Sequence, residues 1–368
     1  MMNYRKPGSW QFLLCLQLLA CFFPCNAEVI LKQSIRGMFV FGSSLVDNGN
    51  NNFLPNSTAK ADFLPYGIDF PHGPSGRFTN GKNVIDLLCR LLKLPLLPTF
   101  SDPSTKGCKV VHGVNFASAS SGILDDTGFV SRQVITLNQQ IKNFEEVTMA
   151  ELEKETGNNG REELLSNYLF VVGTGGNDYS FNYFLRNPNV SLQAFTANLT
   201  NSLSLQLKKL YSLGARKFVL MSINPLGCYP MVKPTSEGKC IEALNQAATL
   251  FNNGLKSLID VSNTHMPSSN LVFVNSYKIM EDIIKNPISK GFRNANNPCC
   301  EVVPTAVFRG SGVLCKKGGN TCVDRNAHVF FDGLHPTEAV NIQIATKAFT
   351  SYLQTEVYPI NVNQLAKL

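Results

Sequence analysis

The chain has 368 residues, of which 44% are hydrophobic and 16% are charged, and its formal net charge is +7. This balance excludes an intrinsically disordered chain, which would combine low hydrophobicity with high charge. The basic residues form no dense cluster, so nucleic-acid binding, which needs a basic patch, is not expected.

The first residues have the layout of a secretory signal peptide. Arg5 and Lys6 precede an almost wholly apolar run at residues 12–23, and Ala27 supplies a small residue at the expected cleavage point. A membrane anchor is the alternative, but this run has about a dozen residues and a spanning helix needs about 20. We therefore predict a signal peptide over residues 1–27 and a secreted, extracellular protein without a transmembrane segment. Residues 28–368 are predicted to form a single domain, since no linker or repeat divides them.

The cysteines beyond the signal segment suggest disulfides, because they are even in number and the predicted compartment is oxidising. They are Cys89, Cys108, Cys228, Cys240, Cys299, Cys300, Cys315 and Cys322. Cys228 with Cys240, and Cys315 with Cys322, could each close a short loop, although sequence alone does not fix the connectivity. The adjacent pair Cys299 and Cys300 lacks the spacing that a zinc site needs.

Three Asn-x-Ser/Thr sequons, at Asn56, Asn189 and Asn198, fit glycosylation of a secreted surface.

Short apolar runs rich in Val and Phe predict the buried strands of a parallel sheet. They are residues 38–42, 167–175, 216–223 and 270–277, with 110–116 as a weaker candidate.

Helical periodicity lies between these runs. Apolar residues recur at helical spacing from Leu192 to Leu210, and Gly214 is placed to end that helix. A second helix is predicted from about Ile241, and a third at about residues 337–353. Alternating strands and helices predict a parallel sheet covered on both faces, with residues 48–74 as a loop region above it.

Ser44 directly follows the first predicted strand, after a glycine at position 42. Open α/β sheets bind ligands at the carboxyl ends of their strands, so a serine there is held on a rigid support and exposed to a ligand. The structural alternative is a helix cap, since serine caps helices well.

Asp332 and His335 form a DxxH pair near the other end of the chain. One carboxylate can hold an imidazole in the tautomer that leaves its second nitrogen free to take a proton from a serine. The alternative is a surface ion pair.

Two further segments offer groups that could stabilise an oxyanion. Asn177 follows the second predicted strand and carries an amide donor, a contribution typically worth about 3 kcal/mol in acyl transfer. Gly122 ends a run of small residues at 115–122, where backbone can approach a ligand closely. The segment with Asn177 is also compatible with an ordinary turn, and the run at 115–122 is by itself a weak signal.

These four segments, in this order, resemble the blocks of the plant-type GDSL esterase/lipases of the SGNH hydrolase superfamily. The blocks are residues 39–52, 115–122, 175–178 and 332–336, and residues 76–81 and 225–228 are also similar to the family. The similarity runs from about Met38 to Leu353. It implies a flavodoxin-like three-layer α/β/α sandwich with a central, mainly parallel sheet, the SGNH hydrolase fold, and no metal or organic cofactor.

The resemblance also implies roles for individual residues. Ser44 would be the nucleophile, His335 the base and Asp332 the group that orients it. The oxyanion donors would be the Ser44 N–H, Asn177 and Gly122. Residues 119–121 stand where the family often has glycines, which leaves the Ser120 N–H as an alternative to Gly122.

The sequence departs from the family pattern beside the nucleophile. Ser43 stands where the family usually has aspartate, and a serine can make weaker versions of the hydrogen bonds that hold the turn. Activity is expected to be retained or only reduced. Phe331 stands where tryptophan is common, which should change packing only.

The sequence therefore predicts a secreted serine esterase/lipase that hydrolyses lipid or other acyl esters through an acyl-enzyme on Ser44. An extracellular acyltransferase is one alternative. A catalytically weakened binding or defence protein, motivated by Ser43, is another.

Overall fold

The computed structural model describes residues 35–157, 160–186, 189–233, 238–304 and 312–368. The predicted signal peptide at residues 1–27 lies outside the described residues. In the described part, no helix is both long enough and apolar enough to cross a membrane.

Seven strands are described, and they form two sheets. In chain order they are β1 (Gly37–Gly42), β2 (Tyr168–Gly173), β3 (Lys217–Met221), β4 (Asn270–Val274), β5 (Asn294–Pro298), β6 (His328–Phe330) and β7 (Val357–Tyr358). The central sheet has the order β1-β2-β3-β4-β7, in which the first four strands are parallel and β7 is antiparallel. The prediction of a mainly parallel sheet is thus confirmed, and its antiparallel edge strand was not foreseen.

The register of the central sheet aligns the carboxyl ends of its parallel strands. Gly42 of β1 lies opposite Gly173 of β2, which lies opposite Met221 of β3. Every residue of these three strands is buried, as expected for a sheet covered on both faces. Side chains that follow the strands therefore meet at one edge.

Residues 110–116, the weaker strand candidate, do run beside β1. Met38 donates its backbone N–H to His112, Val40 donates to Val114, and Phe116 donates to Val40. The segment does not form a continuous strand, and its one β-bridge to β1 joins Val40 and Asn115.

Eleven α-helices are described around the central sheet. They are α1 (Val84–Leu91), α2 (Leu137–Asn143), α3 (Met149–Thr156), α4 (Arg161–Leu165), α5 (Phe184–Arg186), α6 (Leu192–Ser212), α7 (Glu242–Asp260), α8 (Ser262–His265), α9 (Ser276–Lys285), α10 (Glu338–Thr350) and α11 (Val362–Lys367). One group packs through α2, α6 and α7, and another through α1, α9, α10 and α11. With the sheet they make the expected three-layer α/β/α sandwich. The predicted helix after residue 192 ends as foreseen, with Gly214 at a φ of +117°.

Aromatic side chains fill the interface between β1 and the helical layer. Phe39 and Phe41 lie two residues apart, so they face the same side of the sheet. Both rings contact Phe144, which follows α2, with centroid separations of 4.8 and 5.9 Å. Burying each ring contributes roughly 1.5–3 kcal/mol to folding, and this packing fixes β1 as the support for the residues after it.

Disulfides confirm one predicted pairing and correct the other. Cys228 is bonded to Cys240, as predicted. Cys315 is bonded to Cys300 rather than to Cys322, whose partner is Cys299. The prediction chose the shorter loop, whereas the fold places both Cys299 and Cys300 at the end of β5 beside the returning chain. In the described part, Cys89 and Cys108 are unpaired.

Candidate active site

Ser44 lies in a tight turn immediately after β1. The Ser43 N–H donates to the Gly173 carbonyl at 3.0 Å, and the Val46 N–H donates to the Ser43 carbonyl at 3.1 Å. Gly42 has a φ of +143°, and a Cβ there would come within 2.1 Å of the Gly173 carbonyl oxygen. A glycine is therefore required for the chain to turn against β2 and present Ser44.

The structure brings Ser44, His335 and Asp332 together from opposite ends of the chain. Ser44 Oγ lies 2.8 Å from His335 Nε2. His335 Nδ1 lies 2.8 Å from Asp332 Oδ2 and 3.0 Å from Oδ1. Asp332 is fully buried, His335 is 3% exposed and Ser44 is 8% exposed. This geometry allows the imidazole to donate Nδ1–H to the carboxylate and accept the serine proton at Nε2.

The Asp332 carboxylate is held by its own turn. Its Oδ1 accepts the backbone N–H groups of Leu334 and His335, at 2.8 and 2.7 Å. The Phe331 N–H donates to the His335 carbonyl and closes the same turn. The DxxH spacing thus lets one carboxylate form hydrogen bonds with both the backbone N–H and the ring of His335.

Tyr66 is a site residue that the sequence analysis missed. Its hydroxyl donates to Asp332 Oδ2 at 2.6 Å and accepts the Cys315 N–H at 3.0 Å. Burial, together with the negative charge of Asp332, raises the pKa of the phenol well above its ordinary value, so it remains a donor. Nothing local identifies Tyr66, because it stands in the loop region at residues 48–74 and its partner is 266 residues away.

An aromatic cage surrounds Tyr66 and His335. The Tyr66 ring packs against Phe63, Phe78 and Phe331, with centroids 5.5–5.7 Å apart. Phe78 also lies 4.9 Å from the His335 ring. Phe331 therefore packs against the ring of Tyr66, the residue that donates to Asp332. It stands at the position where the family pattern commonly has tryptophan.

Asn177 reaches the same edge from the segment after β2. Its Nδ2 donates to the Ser121 carbonyl at 2.8 Å, and the side chain lines the cavities on both sides of Ser44. An amide nitrogen has two hydrogens, so one remains for an oxyanion.

Ser120 and Gly122 occupy different environments. Ser120 has a φ of +65° and lines a cavity together with Ser44 and Asn177. Gly122 is not among the described residues that line either cavity, and a Cβ on it would come within 2.4 Å of the Asp178 carboxylate. Of the two candidate donor residues, Ser120 is thus the one that lines the cavity.

Asp47 braces the turn of Ser44 from the far side. Its Oδ1 accepts the N–H groups of Gly49 and Asn50, and its Oδ2 accepts the Ala119 N–H at 3.0 Å. Complete burial raises the pKa of Asp47 to about 6, although these N–H donors oppose the shift. One carboxyl thereby ties the segment that carries Ser44 to the segment that carries Ser120.

Asparagines repeat this cross-linking. Asn50 Nδ2 donates to the carbonyls of Asn115 and Ala117, and Asn115 Nδ2 donates to the Val46 carbonyl. Asn50 and Asn115 therefore act as structural support for the segment that carries Ser44.

Two cavities meet at Ser44. The smaller has a volume of about 50 Å³ and lies towards β3 and α10, and the larger is a groove of about 460 Å³ towards the loops. Ser44, Asn177 and Leu334 line both, whereas His335 lines only the groove. Among described residues, the one group of three possible metal ligands is Cys299, Cys322 and His328, and its two sulfurs form a disulfide.

The chain is similar to known proteins over most of its length. The sequence model of the family described as GDSL-like Lipase/Acylhydrolase matches residues 38–348. One GDSL esterase/lipase of Arabidopsis thaliana is 41% identical over 344 residues, which cover 90% of this chain and 87% of that relative. A second from the same plant is 38% identical over 361 residues, covering 95% and 97%. GDSL esterase/lipase 7 of Arabidopsis thaliana is 37% identical over 367 residues, covering 97% and 99%.

Proposed function

Because the chain belongs to the GDSL-like lipase/acylhydrolase family of hydrolases that act on ester bonds, we propose that it is a serine esterase. We propose further that it is secreted and forms an acyl-enzyme on Ser44. The observation that carries the proposal is the 2.8 Å contact between Ser44 Oγ and His335 Nε2 at the junction of two cavities.

The proposed reaction has two steps. His335 Nε2 takes the hydroxyl proton as Ser44 Oγ bonds to the ester carbonyl carbon, and Asp332 stabilises the imidazolium. The carbon–oxygen bond to the alcohol then breaks, and His335 returns the proton to the departing oxygen. Water repeats the sequence on the acyl-enzyme and releases the acid. No cofactor is required by this scheme.

The tetrahedral oxyanion would be held by the Ser44 N–H, the Asn177 amide and one further backbone donor. The cavity wall favours the Ser120 N–H over the Gly122 N–H for this third position. Donors placed where charge develops supply the largest share of stabilisation in such reactions.

Secretion is part of the proposal. Its support is the signal-like segment at residues 1–27, the three disulfides and three sequon asparagines, Asn56, Asn189 and Asn198, that are exposed. Expression in a plant or insect secretory host and treatment with an N-glycosidase would detect these glycans as a mobility shift. A protein retained in the cells with residues 1–27 uncleaved would contradict secretion.

The direct test compares wild type with Ser44→Ala on p-nitrophenyl acetate and butyrate. Ser212→Ala, an exposed serine at the end of α6, is the matched control. We expect wild type and the control to hydrolyse both esters and to react with a fluorophosphonate probe, and Ser44→Ala to do neither. Equal rates for wild type and Ser44→Ala would refute the assignment.

The same experiment separates the alternatives. An unreactive Ser44 in folded wild-type protein would favour the binding or defence protein. Transfer of the acyl group to added glycerol in preference to water, seen by product analysis, would favour the acyltransferase.

A further inference from the structure

We propose that the preferred substrate is a short-acyl ester, such as an acetate, of a bulky apolar alcohol. This inference rests on the proposed function, because it assigns the two arms of the ester to the two cavities that meet at Ser44. The acyl arm enters the cavity of about 50 Å³, and the alcohol arm lies in the groove of about 460 Å³.

The position of His335 decides which arm goes where. The imidazole must hand its proton to the alcohol oxygen as the bond between that oxygen and the carbonyl carbon breaks. The leaving alcohol therefore departs on the side of the ring. His335 lines the groove and is not among the described residues that line the small cavity, so the groove receives the alcohol and the small cavity receives the acyl group.

The small cavity restricts the acyl chain by size. An engineered cavity of about 150 Å³ holds benzene, and this one has about a third of that volume. Its walls include Met221, Ile223 and Ile344, which are almost fully buried in the core. Close-packed walls of this kind do not open for extra methylenes without strain.

The groove differs from the small cavity in size. Its lining includes Phe63, Phe181, Val130 and Leu185, beside Phe78 at the His335 ring. Its volume of about 460 Å³ is about three times that of a benzene-sized site. An extended alkyl or polycyclic alcohol fits this space, and apolar walls favour it.

Octyl acetate and ethyl octanoate test the assignment, because they are isomers with the two arms exchanged. With purified full-length secreted protein, we expect kcat/KM for octyl acetate to exceed that for ethyl octanoate by at least tenfold. Equal values, or a preference for ethyl octanoate, would overturn the proposal. Fluorophosphonate labelling of Ser44 keeps the outcomes distinct: a labelled enzyme with the reversed preference rejects only the arm assignment, and an unlabelled one rejects the proposed function.

Variants of the two cavities give independent readouts. Val130→Asp places a charge in the groove, and Val261→Asp, a similarly exposed valine after α7, is the matched control. We expect the ratio of kcat/KM for octyl acetate to that for ethyl acetate to fall about tenfold in Val130→Asp and to stay at the wild-type value in the control. Ile223→Ala should enlarge the small cavity and raise the relative activity on ethyl octanoate. If Val130→Asp instead impaired ethyl octanoate selectively, the arms would be reversed.

Discussion

The hydroxyl of Tyr66 donates a 2.6 Å hydrogen bond to Oδ2 of Asp332, the same oxygen that lies 2.8 Å from Nδ1 of His335. The carboxylate is therefore fixed from two sides, by the backbone of its own turn and by a tyrosine from a distant loop. The Cys315 N–H donates to the same hydroxyl, and Cys315 is bonded to Cys300. The residue whose N–H donates to the Tyr66 hydroxyl is therefore itself part of a disulfide.

Tyr66→Phe should lower kcat by about tenfold with little change in KM. A hydrogen bond to a charged group is worth about 1.5–3 kcal/mol, and its loss frees Asp332 to move while substrate contacts remain. The measurement is steady-state hydrolysis of p-nitrophenyl butyrate together with the rate of fluorophosphonate labelling. Tyr179→Phe serves as the control, because it removes a buried hydroxyl that is hydrogen-bonded to Thr196. A loss of thermal stability without a loss of labelling rate would show that Tyr66 is only structural.

Asn177→Ala should lower kcat by about 100-fold, because one oxyanion donor is typically worth about 3 kcal/mol. Asn182→Ala is the matched control, since this buried asparagine instead contacts Asp126 and Thr127. Comparable losses of kcat in the two variants would indicate that Asn177 acts by holding the Ser121 loop.

Ser43→Ala should keep activity within about threefold of wild type, whereas Asp47→Ala should lose most of it. The turn at Ser43 is held by backbone hydrogen bonds, and Asp47 supplies the carboxylate that accepts three N–H groups around it. Buried donors left unpaired cost about 1–3 kcal/mol each. The check is kcat/KM and the midpoint of urea unfolding for both variants. A strong loss in Ser43→Ala would mean that its hydroxyl carries the role expected of the family's aspartate.

Asp178 should make the stability of the protein depend on pH. Burial raises the pKa of its carboxyl from 3.8 to about 6, so between these values the folded state binds more protons than the unfolded state. Its contribution to the free energy of unfolding is therefore present below about pH 4 and is lost as pH rises through about 6, by up to about 3 kcal/mol.

Asp178→Asn removes this titration. Urea unfolding of wild type and variant at pH 4 and pH 7 should show a larger stability advantage of wild type at pH 4. An advantage that grows with pH would mean that the hydrogen bonds from Ile123, Leu124 and Thr127 outweigh burial.

The parallel strands and their burial could be predicted from the sequence because the apolar pattern that indicates them is local. A run such as residues 38–42 is short, apolar and rich in Val and Phe, which is the pattern of a strand covered on both faces. The predicted ends overshoot by a few residues. The run at 167–175 leaves β2 at Gly173, and Gly175 has a φ of +110°. The helix predicted to residue 353 ends at Thr350, where Ser351 becomes extended.

The antiparallel strand Val357–Tyr358 and the small sheet of β5 and β6 were not predicted. β6 and β7 have three and two residues, too few to show periodicity. β5 has five residues but is rich in asparagine, so it lacks the apolar run that predicts a buried strand.

The chain's own sequence predicted that Ser44 and Asn177 would lie at one edge of a sheet, since each follows an apolar run. It also identified the DxxH pair of Asp332 and His335, without placing that pair at the same edge. The family resemblance added the order of the four blocks. Only the tertiary structure showed that Tyr66 is hydrogen-bonded to Asp332 and that Ser120 lines the cavity. It also showed that Cys315 is bonded to Cys300 and Cys322 to Cys299. The reason is that these contacts join segments separated by tens to hundreds of residues, and their energies depend on burial and on the direction of individual donors. Neither quantity is written in any local stretch of sequence. The two unequal cavities at Ser44 are likewise a product of packing alone.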